Sequence, residues 1–252
     1  MGGGERKMVS KYSKDFKINF RDADFNYNLS MTSLVDFMQE VSGEHALQLG
    51  IDFTTDEEQK AYWIVSRAKM HLDEYPKWQD HIRIETYPVG LEGLFAVRRF
   101  DIFNAKDKQI GYIIGYYILM DFKTHRPLRI KNMPEVSELL NWTYEGEVLP
   151  KLKSPQQVIK EDIRKVHSGE IDINQHMNNA HYVRWATDMI DCQEYNERRI
   201  ESIQTNYIAS LVEGDTAKVI RGLDEEGNTL IQGTSLDGSK VYWTSKIVFK
   251  DL

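Results

Sequence analysis

The sequence predicts an α+β fold in which a helix is wrapped by an antiparallel sheet, and it predicts this unit twice. Three observations carry the reading. A polar segment running into an apolar-periodic one occurs in two ungapped copies, "ADFNYNLSMTSLVDF" (Ala23 to Phe37) and "IDINQHMNNAHYVRW" (Ile171 to Trp185), separated by 148 positions. The offset pairs Asp24 with Asp172, Asn26 with Asn174, Asn28 with His176 and Phe37 with Trp185. Each copy follows a strand-like stretch, and each is followed by several consecutive strand-like runs, the order that suits an antiparallel sheet rather than parallel β-α-β units.

The elements follow in chain order. "FKINF" (Phe16 to Phe20) reads as the first strand. After the first polar segment, Leu34, Phe37, Met38, Val41 and Leu49 fall near one face of a helix, and Gly50 offers a left-handed stop. Strands are expected at "HIRIETYPV", "FAVRRFDIFN" and the unbroken "GYIIGYYILMD" (Gly111 to Asp121). A polar, proline-containing join lies between Lys131 and Gln157. In the second half "EDIRKV" (Glu161 to Val166) is strand-like, and Tyr182, Ala186, Met189 and Ile190 repeat at helical spacing, with Asn178 or Asn179 as the N-cap. Strands should follow at "RIESIQTNYIAS", "TAKVIRGLD", "NTLIQGTSL" and "KVYWTSKIVF". The expected division is therefore residues 1–135, a linker at 136–157, and residues 158–252.

Composition bounds the function. At 252 residues, 41% hydrophobic and 28% charged, the chain is long enough for one large domain or two globular units of about 125 residues. A net charge of −7 disfavours nucleic acid as a partner. No apolar run of about 18 residues appears and the N-terminal stretch lacks an apolar signal region, so membrane insertion is not expected and a cytoplasmic home is. The single cysteine, Cys192, cannot form an internal disulfide and is given no role. There is no Gly-x-Ser-x-Gly elbow, no His-Glu-x-x-His, no Walker A and no dinucleotide fingerprint, so neither a serine hydrolase nor a metal or nucleotide cofactor is expected.

The polar segment from Asp172 to Asn179 concentrates acid, amide and imidazole at a helix entry. Any one Asp or Asn there would ordinarily be a turn or cap residue, and a single loop histidine is ordinarily just hydrogen-bonded. The two copies together shift the balance. Both halves keep the loop, but Asn28 stands where the second copy has His176, so only the second half carries an imidazole. Asp24 and Asn26 then hold the matching loop.

These residues resemble the acyl-acyl-carrier-protein thioesterases, bacterial relatives of the plant plastid enzymes, which are tandems of two hotdog folds. The resemblance rests on "DINQHMNNAHYVRW", on "WIVSRAKMHLDEYPKWQDHIRIETYP" (Trp63 to Pro88) and on "RRFDIFNAKDKQIGYIIGYYILMDFKTHRPLRI" (Arg98 to Ile130), and it spans nearly the whole chain. It implies a tandem double hotdog, with the first unit on the acyl-chain side and the second carrying the catalytic motif. It implies Asp172, Asn174 and His176 as the catalytic network. Many relatives add a glutamate three residues after a tyrosine and shortly before a Gly-Asp pair. Here "NYIASLVEGD" places Ser210 at that position and Leu211 next to it, so neither a glutamate base nor an adjacent cysteine is available.

The implied chemistry is hydrolysis of the thioester of fatty acyl-acyl carrier protein, giving free fatty acid and holo carrier protein and ending fatty acid synthesis. The leaving thiol, with a pKa of about 8 to 9, needs little acid assistance. Asp172 or His176 could deprotonate a water. The start of the helix at Asn178 and Asn179, with the Asn174 amide, could hold the oxyanion, a donor of that kind lowering the barrier by roughly 3 to 4 kcal/mol in other acyl-transfer enzymes. Leu34, Phe37, Met38 and Val41 could wall an acyl tunnel or simply form core. The phosphopantetheine-bearing, acidic carrier should meet a basic surface, for which Arg98, Arg99, Arg126, Arg129, Lys131, Arg198 and Arg199 are candidates. An acyl-CoA thioesterase and a non-catalytic acyl-thioester sensor are the alternatives, and a homodimer of such double units stays open.

Overall fold

The computed structural model describes residues 10–52, 60–140 and 142–252; the N-terminal stretch read for targeting lies largely outside the described residues. In chain order the elements are β1 (Tyr12–Lys17), α1 (Met31–Leu49), β2 (Ala61–Leu72), β3 (His81–Glu92), β4 (Phe95–Asn104), β5 (Gln109–Asp121) and the short α2 (Pro134–Ser137). The second half adds β6 (Gln157–Lys165), α3 (Asn179–Thr187), β7 (Arg198–Tyr207), β8 (Thr216–Leu223), β9 (Thr229–Thr234) and β10 (Val241–Asp251).

All ten strands form one sheet in the order β1-β3-β4-β5-β2-β7-β10-β9-β8-β6. Every pairing between these strands is antiparallel. The order is palindromic: matching strands of the two halves sit at equal distances from the β2–β7 seam, where Arg67 faces Asn206 and His71 faces Ser202. The halves are thus related by a pseudo-twofold axis through the seam. One consequence fixes the site. The end of β6 that feeds the second polar loop lies at the same end of the sheet as the C-terminal ends of β5 and β7, whereas β1 feeds the first polar loop at the opposite end.

The helices α1 and α3 pack against one another and against the sheet. Leu34, Val35, Met38 and Val41 of α1 and Val183, Trp185 and Ala186 of α3 join Ile84, Phe100, Ile203, Trp243 and Ile247 in one continuous core spanning both halves. Ser30 caps α1 by accepting from Ser33 N–H at 3.1 Å, and Gly50 ends it at φ 66°, a conformation glycine adopts without penalty. Gly233 is required for a different reason: it faces Trp243 across the β9–β10 ladder, and a Cβ there would overlap the indole ring.

Several sequence expectations are corrected. The strand β2 is additional; its residues had entered only through the family resemblance. The helix α3 ends at Thr187, because Met189 and Ile190 donate to Ala186 and Thr187 in three-residue turns; both remain buried. The run ending at Ser210 is a strand only to Tyr207, since Ile208 and Ala209 N–H both turn to the Tyr242 carbonyl. Between α2 and β6 the chain lays Leu149 against Val97, Ile114 and Tyr116, and its Pro150 carbonyl accepts from the amides of Gln204 and Asn206.

Candidate active site

The second polar loop is shaped by its aspartate. Asp172 Oδ1 accepts from the backbone N–H of Asn174 at 2.8 Å and of His176 at 3.3 Å, and Asp172 N–H donates to the His176 carbonyl at 2.8 Å. Gln175 takes φ 63° at the apex. The first loop repeats this geometry: Asp24 Oδ1 accepts from Asn26 and Asn28 N–H at 2.8 and 2.9 Å, with Tyr27 at φ 63°. Burial raises the Asp24 carboxyl above the usual range, against the two N–H donors.

The correspondence extends further than the sequence comparison found. Asp22 accepts from Asn19 N–H and Glu170 from His167 N–H, so each loop has a carboxylate brace at its base. Glu170 also accepts from the Trp185 indole at 2.8 Å, and its carbonyl accepts from Asn178 N–H at 2.9 Å. In the first loop the Asp22 carbonyl accepts from Ser30 N–H in the same way. Asp22 and Glu170 share the offset of 148 and stand one residue before the aligned segments begin, which is why those segments did not reveal them.

Asn178 is the N-cap of α3: its Oδ1 accepts from Ala180 N–H at 2.9 Å. The same oxygen accepts from Gln39 Nε2 at 2.9 Å, and Gln39 Oε1 accepts from Asn179 Nδ2 at 3.1 Å. A side chain of α1 in the first half therefore clamps the N-cap and the first residue of α3 in the second. The backbone N–H of Asn179 has no acceptor among the described residues and points from a helix start, where four N–H groups lack intrahelical partners. Among the described residues the matching end of α1 has no such clamp: Thr187, the counterpart of Gln39, bonds back to Arg184.

The segment after β7 closes the site. Met177 N–H donates to the Leu211 carbonyl at 2.8 Å, and Leu211 N–H donates to the Tyr182 hydroxyl at 2.9 Å. Burial pushes the Tyr182 phenol up to about 12, with the Leu211 donor opposing and the nearby Asp172 carboxylate reinforcing it. Tyr182 thus keeps its proton beside Asp172; its helical spacing alone had marked it only as core. Ser210, adjacent to Leu211, is exposed. Asn174 and His176 are exposed and Asp172 is half-buried, so the three groups share one open loop, joined by the Asp172 carboxylate accepting from the backbone N–H groups of the other two.

Arg98 and Arg99, offered above for the carrier-facing surface, both stand on β4. Arg98 is not a surface cation: it is 8% exposed on β4, and its Nη1 donates to His45 Nδ1 at 2.7 Å and to Thr86 Oγ1 at 3.3 Å. Arg99 points to the other face, bonded to Asp101 at 2.9 Å and lying 4.2 Å over the Tyr112 ring. Arg198 pairs with Glu194 and Arg199 donates to the Asp73 carbonyl. Leu34, Phe37, Met38 and Val41 are buried in the common core. Among the described residues no group of three or more His, Cys, Asp and Glu could hold a metal, and no helix is long and apolar enough to cross a membrane.

Two helix-and-sheet units fused through one seam, with an acid–amide–imidazole loop at one end only, define a tandem double-hotdog protein. The chain belongs to the acyl-ACP thioesterase family: residues 9–139 match the family's N-terminal domain and residues 153–247 its C-terminal domain. It is similar to the chloroplastic oleoyl-acyl carrier protein thioesterase of Coriandrum sativum, 25% identical over an alignment of 216 residues, with 78% of this chain and 58% of that protein covered. It is also similar to oleoyl-acyl carrier protein thioesterase 2 of Arabidopsis thaliana, 23% identical over 90% of this chain and 67% of that protein. The chain thus spans about three-fifths to two-thirds of the length of these relatives. Among solved structures, an acyl-ACP thioesterase from Bacteroides thetaiotaomicron superposes with a TM-score of 0.82 at 24% identity, covering 95% of this chain and 98% of that one. The 12:0-ACP thioesterase from Umbellularia californica does so with 0.80 at 17% identity, covering 96% and 98%. Both share its fold.

Proposed function

We propose that this chain hydrolyses the thioester of fatty acyl-acyl carrier protein in the cytoplasm, releasing free fatty acid and holo carrier protein. Family membership supports the reaction class, and one observation carries the site: the loop is built twice, but only the second copy joins an imidazole, His176, to a clamped helix start with an unpaired N–H. Water, relieved of a proton by His176 or Asp172, adds to the thioester carbonyl. The developing oxyanion is held by Asn179 N–H and the Asn174 amide. Collapse expels the pantetheine thiolate, which takes up a proton, and the acyl group leaves as the carboxylic acid. Ser210 can position the water but cannot serve as a carboxylate base, which leaves proton abstraction to the loop itself.

The test is thiol release from a panel of acyl-carrier-protein and acyl-CoA thioesters by the chain and by its Asp172→Asn and His176→Ala variants. Asn at position 172 keeps an oxygen to accept both loop N–H groups, so the fold should hold while activity falls about a hundredfold or more. Turnover that prefers acyl-CoA would move the reading to a CoA thioesterase. Tight binding without turnover would make the chain a sensor.

A further inference from the structure

The pseudo-twofold axis gives the sheet two chemically different ends. The armed end holds the loop from Asp172 to Asn179, the segment after β7 and the chain that leaves β5 at Asp121. This last segment is braced by its own hydrogen bonds. Asp121 Oδ1 accepts from Thr124 N–H at 2.7 Å, from Thr124 Oγ1 at 2.8 Å and from Lys123 N–H at 3.1 Å. Leu128 N–H then returns to the Leu119 carbonyl at 2.7 Å, and Ile130 is buried beneath a short turn.

On that platform stand Lys123, Arg126, Arg129 and Lys131, all exposed, with the exposed Lys60 bonded to it through its carbonyl. None of the five forms an ion pair among the described residues. The one acid in this stretch, Asp121, is spent on its own turn. Phe122, 43% exposed, adds an apolar surface beside Tyr62. In a chain of net charge −7, the nine residues from Lys123 to Lys131 carry four cations and no acid. The platform stands at the end of β5, two strands from β7 and about 10 Å away at the usual strand spacing.

Resting on the proposed thioester hydrolysis, we infer that Arg126, Arg129 and Lys131 form the docking face for the acidic carrier protein, placing its pantetheine arm at the loop of Asp172 and His176. Opposite charge held at the mouth of the site raises the encounter rate and fixes orientation, and such rim contacts weaken as salt rises. The exposed cations Lys17 and Lys77 stand at the opposite end, beside the unarmed loop, and serve as the control.

The experiment compares the chain with an Arg126→Glu/Arg129→Glu/Lys131→Glu variant and a Lys17→Glu/Lys77→Glu variant, each checked for unchanged thermal unfolding. The substrates are an acyl-carrier protein and the N-acetylcysteamine thioester of the same acyl group, which has no carrier. Reversal at the armed end should raise KM for the carrier substrate about tenfold or more, abolish its salt dependence and leave kcat/KM for the small thioester within about twofold. Should the triple variant unfold, Arg126→Gln/Arg129→Gln is expected to give a smaller shift in the same direction. An unchanged carrier KM, an equal loss on both substrates, or a larger effect at Lys17 and Lys77 would overturn the inference while leaving the hydrolase reading in place. If the unsubstituted chain releases no thiol from either substrate, the hydrolase reading itself fails.

Discussion

His45 should make the fold sensitive to mild acid, and replacing it should remove that sensitivity. The imidazole is wholly buried on α1, and its Nδ1 accepts from Arg98 Nη1 at 2.7 Å. Burial, and then the Arg98 charge, lower its pKa from 6.5 to about 4. Between those values the unfolded chain binds a proton that the folded chain refuses. Stability contributed by neutral His45 is therefore complete above pH 6.5 and falls as the pH drops towards 4. At about 1.4 kcal/mol for each tenfold change in proton affinity, the loss by pH 4 is about 3 kcal/mol, a large share of the stability of an ordinary domain. Urea unfolding at pH 7.5, 5.5 and 4.0 would measure it, with His45→Gln as the reference, because a glutamine oxygen can still accept from Arg98. Carboxylates elsewhere titrate in both proteins, so the difference between the two pH profiles isolates the imidazole. The wild type should lose about 3 kcal/mol more than the variant across this window; parallel profiles would refute the reasoning.

Gln39→Ala should lower kcat about tenfold with KM and thermal midpoint nearly unchanged, since it frees Asn178 and Asn179 to drift from the carbonyl without removing a core contact; steady-state kinetics would show it. Gly233→Ala should destabilise by about 3 kcal/mol or abolish folding, because the methyl overlaps the Trp243 ring in a packed ladder, and denaturant titration would measure the loss.

What the sequence displayed was set by local hydrogen bonding. Asp24 and Asp172 each organise four following residues, so the loop is legible wherever an aspartate, an asparagine and a helix start share that spacing. Arg98 was illegible for the opposite reason: its partner His45 is 53 positions away on another element, and only the packing of α1 on β4 joins them. The strand β2 hid because its surroundings change along its length. It pairs with β5 throughout but with β7 only from Arg67 onward, and a register shift falls between Val65 and Arg67, so no single alternation runs through it. Ser210 stands in the sequence where many relatives carry a glutamate, and the hydrogen bond from Met177 N–H to the Leu211 carbonyl ties its neighbour to the second loop.

The duplicated loop also explains why one site suffices. In a symmetric pair both loops would be armed, and each helix start would need a clamp from its opposite helix. Here the pseudo-twofold copy of His176 is Asn28, the copy of Gln39 is Thr187, and the copy of the Asn178 cap is Ser30, which bonds within its own helix. Three changes at one end remove the imidazole, the cross-half amide and its acceptor together, while Asp24 keeps the loop folded. On the proposed mechanism the aspartate is required twice for shape and once for chemistry. On this account Asp24→Asn should leave turnover intact whereas Asp172→Asn should not, although both keep the oxygen that shapes the loop. Equal loss of turnover from the two substitutions would show that the carboxylate of Asp172 acts only through the fold, and proton abstraction would pass to His176 alone.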